Sequence, residues 1–429
     1  MTAAPLSPAG LDAARRRARN TLIAGVALGS TGHIAAVTVA TIVAKDLLGS
    51  QTRAGLPGAT VVLGAALGSV LLSALMARRG RRIGLVTGYS VGVLGALVAT
   101  AAVMTRSFPL LLLGTVMIGF GNTSNQLSRY TAADLVPPER RASAIGLVVW
   151  ASTIGSVVGP SLVPFASDFA AGLGLPPLAG PYLVPVVFVA LAALLSLALL
   201  RPDPYDIADE STRAHPDAEP AVIGPVRDII RRPAVAAAIV ALVIGQFVMV
   251  LVMTMTPLHM TEHGHGLGSV GLVLSGHTLG MFAFSPLSGW LSDRFGRVPT
   301  IFLGTAVLAI SSLMAAIAPP DGGLVLPFAL FLLGFGWNLG FVAGSAMLSE
   351  NLEIHERTRV QGVADALIWS SAAAASLGSG LIMAAVGYTA LGILGAGAVI
   401  IPVVVLRSHR RAEAHTMAAV EVAAEVPLP

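Results

Sequence analysis

The sequence predicts an all-α membrane protein of twelve transmembrane helices arranged as two pseudo-symmetric six-helix bundles, and three observations predict it. The first is composition. Of 429 residues 55% are hydrophobic and 11% charged, with a mean hydropathy of +0.81, too little polar surface to cover a water-soluble globule. The second is length, since apolar runs recur at the roughly 20 residues that a helix needs to cross a hydrocarbon core of about 30 Å. The third is an internal repeat. The stretch Gly289-Trp290-Leu291-Ser292-Asp293-Arg294-Phe295-Gly296-Arg297 has a degraded echo 216 residues earlier: Gly296 falls on Gly80, Arg294 on Arg78, Arg297 on Arg81, Gly289 on Ser73 and Gly362 on Gly146.

Taken in order, residues 1–19 are polar and end in Arg15, Arg16, Arg17 and Arg19. A full spanning run without a small-residue cleavage site follows, so this segment reads as cytoplasmic and its helix as a retained signal anchor. Helices are expected over 20–43, 58–77, 82–105, 109–131, 142–165 and 180–200, forming a first bundle over 20–200. The stretch 201–232 is rich in Pro, Asp, Glu and Arg and reads as a solvated linker, with at most a short surface helix near Val222 to Arg231. Helices over 233–257, 268–290, 298–318, 324–348, 359–385 and 387–407 form a second bundle over 233–407, and 408–429 is a cytoplasmic tail. With the N-terminus in the cytoplasm, cytoplasmic segments hold 23 of the 26 Lys plus Arg residues; only Lys45, Arg53 and Arg106 fall outside. That asymmetry sets the expected orientation: a multi-pass protein of the cell inner membrane with both termini cytoplasmic.

Several function classes drop out. There is no cysteine, hence no disulfide and no thiolate metal site. The pI of about 9.9 comes from arginines scattered over loops, which points to the lipid bilayer as partner and away from nucleic acid. No Gly-rich phosphate loop ends in Lys-Ser or Lys-Thr, so ATP is not the expected driver. No mid-membrane Ser, His and Asp set or paired carboxylates occur at usable spacing, so an enzyme is not expected. No cofactor or metal is expected either: His259, Glu262, His263 and His265 crowd together, but in what reads as a Gly-rich outer loop without helical i, i+4 pairing.

Polar residues inside the spans mark the candidate site. His33, halfway along helix 1, either carries a proton or sits neutral against a helix carbonyl; His277 on helix 8 has the same two readings. Asn122, Asn125, Gln126 and Arg129 follow helical spacing on helix 4, a stripe that must face protein or water. Arg129, near the cytoplasmic end, either joins that stripe or snorkels. Helix 10 repeats the theme, with Gly334-Phe335-Gly336-Trp337-Asn338 answering Gly119-Phe120-Gly121-Asn122. Trp337 beside Asn338 suits an amphipathic organic ligand, and Gln246 and Met249 share a face of helix 7 with Met253, either as an adaptable wall or as plain packing. Gly146, Gly155, Gly159 and Pro160 on helix 5 allow close helix contact and a kink. A cytoplasmic gate is expected from Asp293 meeting Arg140 and Arg141, and from Asp365 with Glu350, Glu353 and Glu356 meeting Arg78 to Arg82.

The Gly289 to Arg297 pattern, placed between the second and third helices of a six-helix half, resembles the signature loop of the major facilitator superfamily. Its first copy keeps the basic core but has Ala77 for Asp and Ser73 for the leading Gly. The helix 5 glycines and Pro160 resemble the motif of drug/proton antiporters in that superfamily, although Ser161 and Leu162 replace its trailing Gly-Gly. Thr115 stands where the family carries an Arg tied to proton coupling. The resemblance implies a monomeric secondary transporter working by alternating access, exporting drug-like or metabolite compounds in exchange for protons. Its coupling candidates are His33, Arg129, His277 and Asp365. The latch it implies is formed by Arg78, Arg81, Arg140, Arg141, Asp293, Arg294 and Arg297. The alternatives are an uptake symporter or uniporter for a small metabolite, and a sensor of the same fold that moves nothing.

Overall fold

In a computed structural model the chain is described over residues 7–49, 53–213, 224–319 and 323–411. The first bundle consists of α1 (Pro8–Leu48), α2 (Leu56–Arg79), α3 (Arg81–Met104), α4 (Phe108–Asp134), α5 in two segments (α5a Arg141–Trp150, α5b Ser152–Gly172) and α6 (Gly180–Leu199). The second consists of α7 (α7a Pro233–Met253, α7b Thr256–Glu262), α8 (α8a Leu267–Phe282, α8b Ser285–Phe295), α9 (Arg297–Ala316), α10 (Val325–Glu350), α11 (Ile354–Val386) and α12, which begins as Tyr388–Ala398. Among the described residues, eleven spans are long and apolar enough to cross a membrane. The twelfth helix, α4, has 27 residues, and its Asn, Thr and Ser content dilutes its hydropathy.

Local chemistry sets the ends. Ser7 caps α1 by accepting from the Gly10 N–H at 3.2 Å, so most of the polar 1–19 segment is already helical. Gly80 and Gly296 end α2 and α8b at φ of 88° and 97°, a region that only glycine enters cheaply, and each basic turn therefore folds straight into the next helix. Asp203, just past α6, accepts from the N–H groups of Arg81 and Arg82 at 3.0 Å each, a carboxylate at the positive end of α3. The linker is more helical than its composition implies: Pro204–Arg213 and Val226–Ile229 are helices. Val222, Ile223 and the tail beyond Arg411 lie outside the described residues.

Glycine contacts reproduce the repeat. A Cβ at Gly119 would strike the Val61 carbonyl of α2, and one at Gly334 the His277 carbonyl of α8a; a Cβ at Gly64 would strike the Val116 carbonyl, and one at Gly280 the Phe331 carbonyl. Positions about 216 apart thus meet partners about 216 apart. Close backbone approach of this kind carries helix association where apolar burial offers no gain over lipid.

Candidate functional site

Three layers of charge join the halves, starting from the end of the molecule that carries the α2–α3 and α8b–α9 turns, hereafter the basic end. In the outermost layer Asp293 of α8b accepts from the backbone N–H groups of Ala142 and Ser143 at 3.1 and 2.9 Å, capping α5a from across the interface. Arg297 donates to Asp293 at 2.5 Å, to Glu350 at 2.9 Å and to the Pro138 carbonyl of the other half at 2.6 Å. In the second layer the buried Arg81 donates to Asp134 at 2.7 Å and to Gln361 at 2.8 Å. Arg357 donates to the other Asp134 oxygen at 3.1 Å, so one carboxylate bridges two guanidinium groups from opposite halves.

The deepest layer lies eight residues further along α11, about 12 Å at 1.5 Å per residue. Arg129 of α4 and Asp365 of α11 form a two-pronged ion pair at 2.5 and 3.3 Å, each side chain 2% exposed. Tyr130 donates to Asp365 at 3.2 Å, and Arg129 also donates to Ser345 of α10 at 3.2 Å. The guanidinium lies 4.2 Å from the Tyr130 ring centre and 4.3 Å from that of Phe341. Phe341 stacks on Trp337 at 4.5 Å, and the Trp337 indole donates to Gln246 of α7a at 2.8 Å. A continuous chain therefore runs from an amide, through two stacked aromatic rings, to an ion pair that bridges the halves. Such a pair is costly to desolvate and costlier to break, because either partner alone would be a bare buried charge.

The expected residues divide accordingly. Gln246, Trp337, Arg129 and Asp365 come together, with Met249 buried one turn along α7a from Gln246 and Gln126 bonding Arg129 through its backbone and side-chain oxygens. Arg129 does not snorkel. His33, Asn122 and Asn125 instead face an internal cavity among α1, α3, α4 and α6, with Tyr89, which donates to Asn125 at 3.0 Å. The helix 4 stripe is one face but divides along its length: Asn122 and Asn125 meet the first bundle, and Arg129, about 10 Å further along the axis than Asn122, meets the other half. Asn338 is not a cavity residue, since Ser288, Ser285 and the Met281 carbonyl of α8 take up its amide. His277 packs α8a on α10, one ring nitrogen on the Leu330 carbonyl at 2.8 Å.

The gate differs in its pairing. Asp293 takes backbone donors and Arg297, not Arg140 or Arg141; Arg141 bonds the Ser349 carbonyl at 3.4 Å, and Arg140, Arg294 and Arg78 are exposed. Glu350 goes to Arg297, Asp365 to Arg129, and Glu356 to Arg232 at 2.7 and 2.8 Å, which pushes the Arg232 pKa up. Gly146 meets α8b, while Gly155 and Gly159 meet α1. The chain turns at Ala151, and Pro160 lies within α5b. The segment read as a His-rich loop is partly the helix α7b, so His259 and His263 do stand at i, i+4, rings 4.4 Å apart. Sequence reading missed Tyr130, Phe341, Ser345, Asp134 and Gln361. Phe341 was within reach, one turn after Trp337.

The fold is that of known transporters: the human organic anion transporter MFSD10 (TETRAN) superposes with a TM-score of 0.72 at 17% identity, covering 91% of this chain and 99% of that one. The E. coli fucose:proton symporter FucP gives 0.69 at 17% identity over 90% and 97%. A family model described as Major Facilitator Superfamily matches residues 21–269 and 256–426. The chain belongs to the major facilitator superfamily. Among superfamily relatives, the MFS-type transporter YddS of Bacillus subtilis, itself uncharacterised, is 37% identical over 90% of this chain and 89% of its own. The riboflavin transporter RfnT of Brucella anthropi is 29% identical over 86% and 90%. These relatives point to a transporter of small molecules in a membrane, not an enzyme.

Proposed function

We propose that this protein is a proton-coupled secondary transporter that exports small organic compounds by alternating access, as a monomer in the cell inner membrane with its basic end in the cytoplasm. The bundles over 20–200 and 233–407 are its rocking halves. The observation that carries the reading is the buried Arg129–Asp365 pair, the deepest link between the halves, at one end of the aromatic chain from Trp337. Protonating Asp365 removes one of the two charges, leaves Arg129 unpaired in a buried site and so favours separation of the halves at that end. An organic ligand against Trp337 and Phe341 acts on the same pair through the rings that sandwich it. Export as direction rests on the helix 5 spelling Gly146, Gly155, Gly159, Pro160. The similarity to a riboflavin transporter favours a second reading, uptake of a planar metabolite.

Proteoliposomes with an imposed pH gradient test both, with ethidium and riboflavin as probes. Gradient-driven ethidium export into the acidic side supports the first reading; riboflavin accumulation in the direction of proton entry supports the second. Asp365→Asn is expected to lower gradient-driven flux at least about tenfold while leaving gradient-independent exchange. Flux of either probe that ignores both the gradient and that substitution removes the coupling role of the pair.

A further inference from the structure

At the basic end a cavity of about 250 Å³ lies between α2 and α11, lined by Val70, Ala74, Arg78, Val226, Arg359 and Val363. Its two arginines come from opposite halves, both are exposed, and neither makes a hydrogen bond or ion pair among the described residues. The buried and half-buried arginines differ, since Arg81 and Arg357 have Asp134 and Arg297 has Asp293 and Glu350; the exposed Arg79 and Arg294 share the condition among the described residues but line no such cavity. The repeat differs beside the cavity: the second copy has Asp293 where the first has Ala77, although Asp293 bonds Arg297 and the backbone of α5a and not Arg294, the counterpart of Arg78.

The lining is ordered along the two helix axes. Arg78, Ala74 and Val70 climb one face of α2 at i, i−4 steps, and Arg359 and Val363 climb α11 at i, i+4. Gly362 against Ser73 sets the register between the two helices, which places both arginines toward the basic end and the apolar side chains deeper along the two helices. Two cations without a partner among the described residues, beside an apolar wall, match a phosphate headgroup with an acyl chain. Arginine is also the side chain best shaped to grip phosphate with paired donors.

We propose that this groove binds one anionic phospholipid, whose phosphate bridges Arg78 and Arg359 and stands where the first repeat has lost its carboxylate. A free phosphate would leave the apolar wall unused, and a zwitterionic lipid would bring a cation beside two others. Because the site is built from both halves, the lipid strengthens their contact at the basic end. That consequence rests on the alternating-access reading; the binding does not.

Native mass spectrometry of the purified protein with added phosphatidylglycerol or phosphatidylcholine tests it, with thermal melting in parallel. The expected result is retention of one phosphatidylglycerol, lost about tenfold or more in R78Q/R359Q, largely kept in R227Q, and partly regained in R78K/R359K. Melting of the lipid-free double variant should match that of the parent, which separates lost binding from misfolding. Equal retention of the two lipids, equal stabilisation by inorganic phosphate, or a double variant that holds phosphatidylglycerol like the parent overturns the proposal. So does a parent that takes the lipid only after Asp217 and Glu219 of the linker are neutralised, since the chain's own acids would then be the occupant. Lipid binding without any effect on transport would leave the site standing and count against the transport reading alone.

Discussion

The two crossings that join the halves, α5 on α8 and α2 on α11, occupy equivalent places in the repeat, yet one has been kept and the other rewired. Their backbones agree closely: a Cβ at Gly146 would strike the Ser285 carbonyl and approach Gly289, and a Cβ at Gly362 would strike Ser73 and the Ser69 carbonyl, the partners again lying 216 residues apart. The side-chain salt bridges also correspond, Arg81 to Asp134 and Arg297 to Glu350. The caps do not. Asp293 caps α5a from across the interface, whereas Ala77 leaves α11 to cap itself with Glu353 and Glu356. Close approach of backbones tolerates no alternative side chain, while a helix N-terminus accepts a carboxylate from any direction.

Symmetry fails most completely at the deepest layer. The repeat partner of Arg129 is Ser345, and that of Asp365 is Val149. Arg129 even donates to Ser345, its own counterpart, across the pseudo-axis. Parts that serve as frame are duplicated; the pair in the candidate site is present once. A fold made from two copies must break its symmetry to bind one asymmetric ligand, and the break lies where the aromatic chain from Trp337 ends.

The comparison breaks hardest at Asp134. Asp134→Asn leaves Arg81 and Arg357 buried without a counter-charge, which should weaken closure of the basic end by about 3–5 kcal/mol. Lower melting and faster labelling of a cysteine introduced at that end would register it, with no background because the chain has no cysteine of its own. Unchanged labelling would mean that the second layer does not hold the halves together. Asp293→Asn removes a half-buried cap and should cost less, about 1–2 kcal/mol, or roughly a 5- to 30-fold shift toward the conformer open at the basic end. Equal effects from the two substitutions would erase the distinction between buried bridge and interfacial cap.

Much of this was legible before any coordinates. Twelve spans, the repeat and the basic turns follow from hydropathy and from the 216-residue offset, because lipid forces every span to satisfy its backbone within a helix. Side-chain direction was not legible to the same degree. Asn122 and Arg129 sit on nearly the same face of one polar helix but meet different neighbours, since two turns of α4 separate them by about 10 Å along its axis. The partners of Asp365 and Asp134 depended on crossings set by Gly146 and Gly362, which fix which turn of one helix meets which turn of the other. Asn338 looked like a ligand group because nothing in the sequence shows that Ser285 and Ser288 stand opposite it.

The smallest effect is the most discriminating. Ala77→Asp restores to the first repeat the carboxylate that the second retains, beside Arg78 and Arg81 and facing the start of α11. Because α11 is already capped by Glu353 and Glu356, the new side chain gains little from the helix terminus, and its exposed pairing with Arg78 contributes about 0–1 kcal/mol. Melting should therefore move only slightly. Phosphatidylglycerol retention, by contrast, should fall several-fold, since a fixed carboxylate one residue from Arg78 repels the lipid phosphate. A large rise in melting would show that α11 lacks an adequate cap and that the two crossings differ by a defect; stability held with lipid displaced would show that the difference is a binding site.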